Sequence, residues 1–413
     1  DASAVRAAPA ASAPGPDGRT AGAGTISKAE AVIRAYLARP DAEPLVRQAF
    51  AGVLAAQQRL SDAAEQLRLA TEARPAQTQL WLGLGEVELE LHHADAAEAA
   101  LKRALALATG EQAAPAAAAQ AASQADDDAS DDTGTDDAPD DRGNLAPPAD
   151  ADAANKGSTR PARIRLLLAR AAQQRHDDAA AEKWLSEIDP KDADLQVVSL
   201  RASLLARRGQ LAQALDMIRA APAPTPGEQR YRLLTEVQLL LDEKKIVDAR
   251  NVLSRANRET PDDVDLIYQE AMLDERLDKL DDMEILLRRV LVLQPDNSQA
   301  LNALGYSLAD RNLRLDEALG LVKQAHELSP ADPFIVDSLG WVEYRMGHFD
   351  AATTLLGQAY ASRKDTEIAA HLGEALWADG KHDEAARVLR DAHRLDSGNE
   401  VLRQTMARLK VAP

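Results

Sequence analysis

Small side chains return about every 34 residues along this 413-residue chain, and they keep phase for most of its length. Gly305 in LNALGYSLAD, Gly340 in DSLGWVEYR and Gly373 in AHLGEALWAD are 35 and 33 residues apart. Gly85 in WLGLGEVELE holds the same place, with Ala51, Ala202 and Ala271 as small equivalents. A second series runs Ala63, Ala97, then Ala180, Ala214, Ala249, Met283, Ala318, Ala352 and Ala385. A third is made of prolines: Pro190, Pro226, Pro261, Pro295 and Pro330. Three series at one period predict helix–turn–helix units stacked into a solenoid. Glycine inside a helix costs about 1 kcal/mol against alanine, so each must allow a close contact that offsets the loss. The expected contact sets a small residue of one helix against a small residue of its partner. Proline at the end of a unit stops the second helix.

TQLWLGLGEVELELHHADAAEAALKRALALA carries Trp81, Leu84, Gly85, Ala97 and Ala104 in a pattern that resembles the tetratricopeptide repeat family. The resemblance spans roughly residues 44–398, over which nine repeats can be laid out. It implies an all-α protein, a right-handed α-solenoid. Val237 at one glycine position and Met283 at one alanine position make the repeats of 161–297 degenerate. Residues 298–398 read as well-formed repeats and 399–413 as a capping helix and tail. Residues 25–110 read as a helix and two repeats, behind a disordered Ala/Pro/Gly-rich leader over 1–24.

Composition agrees with thin helical layers. Apolar content is 45%, mostly Ala and Leu, with only 3% aromatic residues to build a large core. A net charge of −19 argues against nucleic acid and anionic membranes as main partners. The absence of cysteine rules out a disulfide, a thiolate nucleophile and a Cys-based zinc site. No window approaches the length and apolarity of a transmembrane helix, and DASAVRAAPAASAPG lacks the basic and apolar regions of an intact signal peptide.

From Ala97 to Ala180 is one repeat plus an excess that coincides with residues 111–160. Residues 126–141 of that segment hold nine aspartates and no base. Such a stretch cannot bury enough apolar surface to offset the entropy of ordering, which predicts a disordered acidic insert. A calcium loop does not fit, because no alternating carboxylates precede Gly134 or Gly143 and no glutamate closes a loop.

The residues give no catalytic, cofactor or metal site. HELSP at 326–330 lacks the second histidine of a zinc helix, and no phosphate-binding glycine loop or G-x-S-x-G elbow occurs. His92 and His93 are adjacent and read as exposed turn residues. His371 and Glu374, three apart, read as a surface pair.

Stacked repeats line one face with their first helices, a surface suited to peptides or helices of other proteins. That face collects Asn302 and Tyr306, then Phe334, Asp337, Trp341, Tyr344 and Arg345, then His371, Glu374 and Trp377. Seven of the thirteen aromatics fall between Tyr306 and Trp377, and Trp, Tyr and Arg dominate interface energetics. Trp341 and Tyr344 divide between groove and inter-repeat core, with a slight preference for the groove. Phe349 and Tyr360 are expected to fill gaps between repeats. A chaperone-tail clamp is not matched, because apart from Asn302 its positions hold Asp337, Trp341, Ala370 and Glu374.

The elements LGYSLADR, DSLGWVEYR and EIAAHLGEALW, within residues 299–392, look like the C-terminal half of proteobacterial envelope tetratricopeptide lipoproteins of the LbcA type. That resemblance implies a non-catalytic adaptor in the periplasm or on the periplasmic face of the outer membrane. It would recruit a C-terminal processing protease and present substrates such as peptidoglycan hydrolases.

Overall fold

A computed structural model describes residues 28–39, 42–110 and 161–413, and no strand occurs among them. The predicted leader and acidic insert lie outside these residues. The helices are α1 (Lys28–Leu37), α2 (Pro44–Ala56), α3 (Leu60–Ala73), α4 (Thr78–Glu90) and α5 (Ala94–Thr109) before the insert. After it come α6 (Pro161–Gln174), α7 (Asp178–Ser186), α8 (Leu195–Arg207), α9 (Leu211–Ala220), α10 (Pro226–Asp242) and α11 (Ile246–Glu259). The series ends with α12 (Val264–Arg276), α13 (Leu280–Leu293), α14 (Ser298–Asp310), α15 (Leu315–Leu328), α16 (Pro333–Arg345), α17 (Phe349–Ser362), α18 (Thr366–Ala378), α19 (His382–Leu395) and α20 (Glu400–Leu409). From α2 to α19 these are nine pairs, a first and a second helix each, as the period predicts.

Two local devices set this alternation. Each turn within a pair contains a residue in the left-handed region, Gln58, His92, His176, Gly209, Lys244, Asp278, Asn312, Gly347 and Gly380, and the turn before α15 adds a second, Arg314. The following residue closes the first helix with a six-residue backbone bond, as His348 N–H does to the Glu343 carbonyl at 2.9 Å. Five first helices are opened by side-chain caps: Asp194, Asp263, Asn297, Asp332 and Asp365 accept from backbone N–H groups of the first turn, as Asp177 does for the second helix α7. Asn399 does the same for α20.

The prolines divide by role. Pro261, Pro295 and Pro330 follow the ends of α11, α13 and α15 as expected. Pro226 instead begins α10, where its missing N–H is not needed. The second series also needs one correction. The buried small residue of α7 is Ala181, not Ala180, because α7 starts at Asp178 and the series occupies the fourth residue of each second helix.

The glycines do allow close approach, but not toward a small partner. A Cβ on Gly85 would lie 2.5 Å from Leu101, on Gly305 2.5 Å from Val322, on Gly340 2.7 Å from Leu356 and on Gly373 2.6 Å from Leu389. Each of these aliphatic residues stands four after the alanine of the second series, on the same helix face. Ala97, Ala318, Ala352 and Ala385 are fully buried beside them. The small-against-small expectation is therefore replaced by a branched side chain seated over a missing Cβ.

Contacts divide the chain into two compact units, and the division falls within α10. In the N-terminal one, α6 packs directly on α5 despite the intervening insert. Leu101 and Ala104 share a core with Ile164, Leu167 and Leu168, Arg175 pairs with Glu98, and the Gln174 amide donates to the Leu89 carbonyl. The C-terminal unit, from Leu240 onward, carries the candidate face.

Candidate protein-binding face

Successive first helices α14, α16 and α18 lie against one another in the C-terminal unit, and α20 packs on α18. Their side chains form one layered cluster. The Tyr344 ring stacks on Trp341 at 4.9 Å between centroids, and Trp341 stacks on His371 at 4.3 Å. His371 Nδ1 meets both Asp337 oxygens at 2.9 and 3.0 Å, while its Nε2 lies 3.4 Å from the Tyr306 hydroxyl. Arg345 places its guanidinium 5.7 Å from the Trp341 ring and 4.0 Å from Asp310.

The sequence-selected residues separate by burial. Trp341 is 2% exposed and its indole N–H has no partner among the described residues, so of the two readings its position fits the inter-repeat core. Tyr306, Asp337, His371 and Glu374 are buried with it. Asn302, Phe334, Tyr344, Arg345 and Trp377 are half-buried and reach the surface. Phe334 lies under the Arg363 guanidinium at 5.1 Å, and Trp377 stacks on His382 at 4.4 Å, both apart from the central stack. Tyr360 is buried beneath Lys364, and Phe349 is half-buried against Tyr344.

His371 and Glu374 do not form the expected surface pair. Both are buried, and each reaches a different repeat: His371 back to Asp337, Glu374 forward to Thr405 at 3.1 Å and to Arg408. Thr405 and Arg408 on α20 escaped the sequence reading. Their signal was the period itself, since Asp337–His371 and Glu374–Arg408 are each 34 residues apart. His92 and His93 are exposed as expected.

Electrostatics follow from this burial. Burial alone pushes the His371 imidazole down, but the Asp337 charge and hydrogen bond, with Glu374 and Glu367, hold it above its ordinary range. Burial, and then the Glu374 charge, raises the Tyr344 hydroxyl. Among the described residues no three His, Asp or Glu side chains gather where a metal ion could be held. What reaches the surface here is the Tyr344 ring, stacked on buried Trp341, with the Arg345 guanidinium beside it.

Paired helices of this length, with a small residue at the close contact and a left-handed turn between, define an α-solenoid of the tetratricopeptide type. Residues 338–400 match the tetratricopeptide repeat family model. The chain is 36% identical over 242 residues to TPR repeat-containing protein PA4667 of Pseudomonas aeruginosa, a match covering 59% of this chain. The chain spans 41% of that relative's length. Among solved structures it is similar to a tetratricopeptide repeat protein from Parabacteroides merdae, with 14% identity, a TM-score of 0.45, and coverage of 60% of this chain and 98% of that one. A thermophilic TPR protein of Thermus thermophilus gives 23% identity, a TM-score of 0.39, and coverage of 44% and 98%.

Proposed function

We propose that this protein is a non-catalytic adaptor that binds other proteins through the first-helix face of residues 298–378. The observation that carries the reading is the run of half-buried Phe334, Tyr344, Arg345 and Trp377 on consecutive first helices of that unit. Rings held by stacking lose little freedom on binding, which is what a protein-contact anchor needs.

In this proposal the partner is a C-terminal processing protease of the bacterial envelope, delivered together with substrates such as peptidoglycan hydrolases. Support comes from the likeness of LGYSLADR, DSLGWVEYR and EIAAHLGEALW to envelope lipoprotein adaptors. The adaptor would hold protease and substrate at high effective concentration, joining two weak contacts into one productive assembly, with bond cleavage left to the protease. The test is cleavage of a folded hydrolase by purified protease with and without the full chain. An adaptor raises the rate, and Tyr344→Ala with Trp377→Ala reduces the gain while helicity is kept. An unchanged rate would leave a structural scaffold without a protease link.

A further inference from the structure

In a solenoid each repeat ordinarily touches only its neighbours. Here a side-chain chain reaches further. The Tyr306 hydroxyl on α14 lies 3.4 Å from His371 Nε2 on α18, 65 residues away, and passes over the repeat that contains α16. His371 is anchored below by Asp337 of α16 through Nδ1 and is sandwiched against Trp341 of the same helix. All four side chains are buried, Tyr306 at 9% and His371 at 4% exposure. One imidazole thus touches three consecutive first helices at once.

We propose that Tyr306, His371 and Asp337 form a proton-controlled clasp that fixes the spacing of three consecutive repeats along their first-helix face. With the imidazolium present, Nδ1–H donates to the Asp337 carboxylate and Nε2–H donates to the Tyr306 oxygen, and the buried carboxylate is neutralised. Once the proton leaves, one ring nitrogen accepts from the Tyr306 hydroxyl and the ring no longer balances any negative charge. The groups facing it are then mainly acidic. α16 presents Asp337, and α18 itself contributes Glu367 and Glu374, the second of which is matched by Arg408 of α20. From α14 it faces the Tyr306 hydroxyl. Arg345 stands on the Trp341 ring, one layer away. A buried carboxylate without its cation is strongly destabilising, so the layer loosens to admit water.

The sign follows from the direction of the His371 shift. Its folded-state value lies above the unfolded one, so the clasp's contribution is complete below the ordinary histidine range. It is lost as pH rises through the raised folded value. Nothing in this depends on an outside partner.

The chain contains no cysteine, so two can be added and spin-labelled without background. Leu313→Cys, in the turn after α14, and Ala378→Cys, at the end of α18, are exposed and report the span between the outer helices. In the full-length protein, pulsed electron resonance should give a narrow distance distribution at about pH 6 that lengthens and broadens by about pH 9. The same labels in His371→Asn should give a distribution that does not move with pH. Asp337→Asn keeps the ring and its Tyr306 contact but removes the buried charge that the proton balances, and should also be insensitive. It serves if His371→Asn loses helicity. An unchanged distribution in the native sequence across that range, or a persistent pH response in Asp337→Asn, would overturn the proposal.

Discussion

Gly340 and Gly357 stand in consecutive helices of one repeat, α16 and α17, yet they meet different surroundings. A Cβ on Gly340 would press on Leu356 Cγ at 2.7 Å and on the Leu356 backbone nitrogen at 3.1 Å, while one on Gly357 would meet nothing within 4 Å. Gly305 and Gly320 differ in the same way across α14 and α15. In these two repeats the first helix uses glycine to admit a neighbour, and the second carries it without such need. The same division holds for histidine: His371 on α18 is buried and bonded across repeats, whereas His382 on α19 is exposed and stacked on Trp377. At the candidate face the first helices hold the hydrogen bonds between repeats, whereas elsewhere second helices make their own, as Asn257 of α11 does to Glu270.

The largest effect expected from this contrast is at the histidines. His371→Ala leaves Asp337 buried and unpaired and should destabilise the C-terminal repeats by about 3–5 kcal/mol. His382→Ala on the exposed helix should cost about 0.5 kcal/mol or less. Denaturant titrations followed by circular dichroism will separate them, and equal costs would break the contrast. Next come the glycines of the first helices. Gly305→Ala and Gly340→Ala should each cost about 1–3 kcal/mol from overpacking, with Gly305 the less forgiving because the Ala318 carbonyl lies 3.0 Å from the added carbon.

How much of this was legible in the sequence depends on which physical signal each feature leaves. The nine pairs and their small-residue positions were readable because packing constraints recur at every period. The partner of each glycine was misjudged because Ala97 and Leu101 share one helix face, and only geometry distinguishes which of them occupies the missing Cβ. Ala181 was missed for Ala180 because a run of three alanines, Ala179 to Ala181, hides the phase. The left-handed turns left little trace, since six of the nine are not glycine. At the candidate face, residue type selected the right neighbourhood, but Trp341, His371 and Glu374 all proved to face other repeats. An aromatic or acidic residue on a first helix reads alike whether it is turned to solvent or to the next layer.

Smaller effects sharpen the comparison from the other side. Gly320→Ala and Gly357→Ala have open space and helical backbone, so each should stabilise the protein by about 0.4–1 kcal/mol, seen as a higher melting midpoint. Lys244→Gly or Asp278→Gly relieves a left-handed residue at φ 57° and should add up to about 1 kcal/mol, partly offset by the greater freedom of glycine when unfolded.

The account rests on branched side chains of second helices seated where first helices lack a Cβ. The direct measurement is a double-mutant cycle of Gly340→Ala with Leu356→Ala, followed by hydrogen exchange across residues 333–362. Leu356→Ala alone opens a cavity and weakens the repeat. In that background the added methyl at position 340 should cost almost nothing or restore protection. If Gly340→Ala lowers protection equally with and without the Leu356 side chain, the close contact is not what the glycine is for.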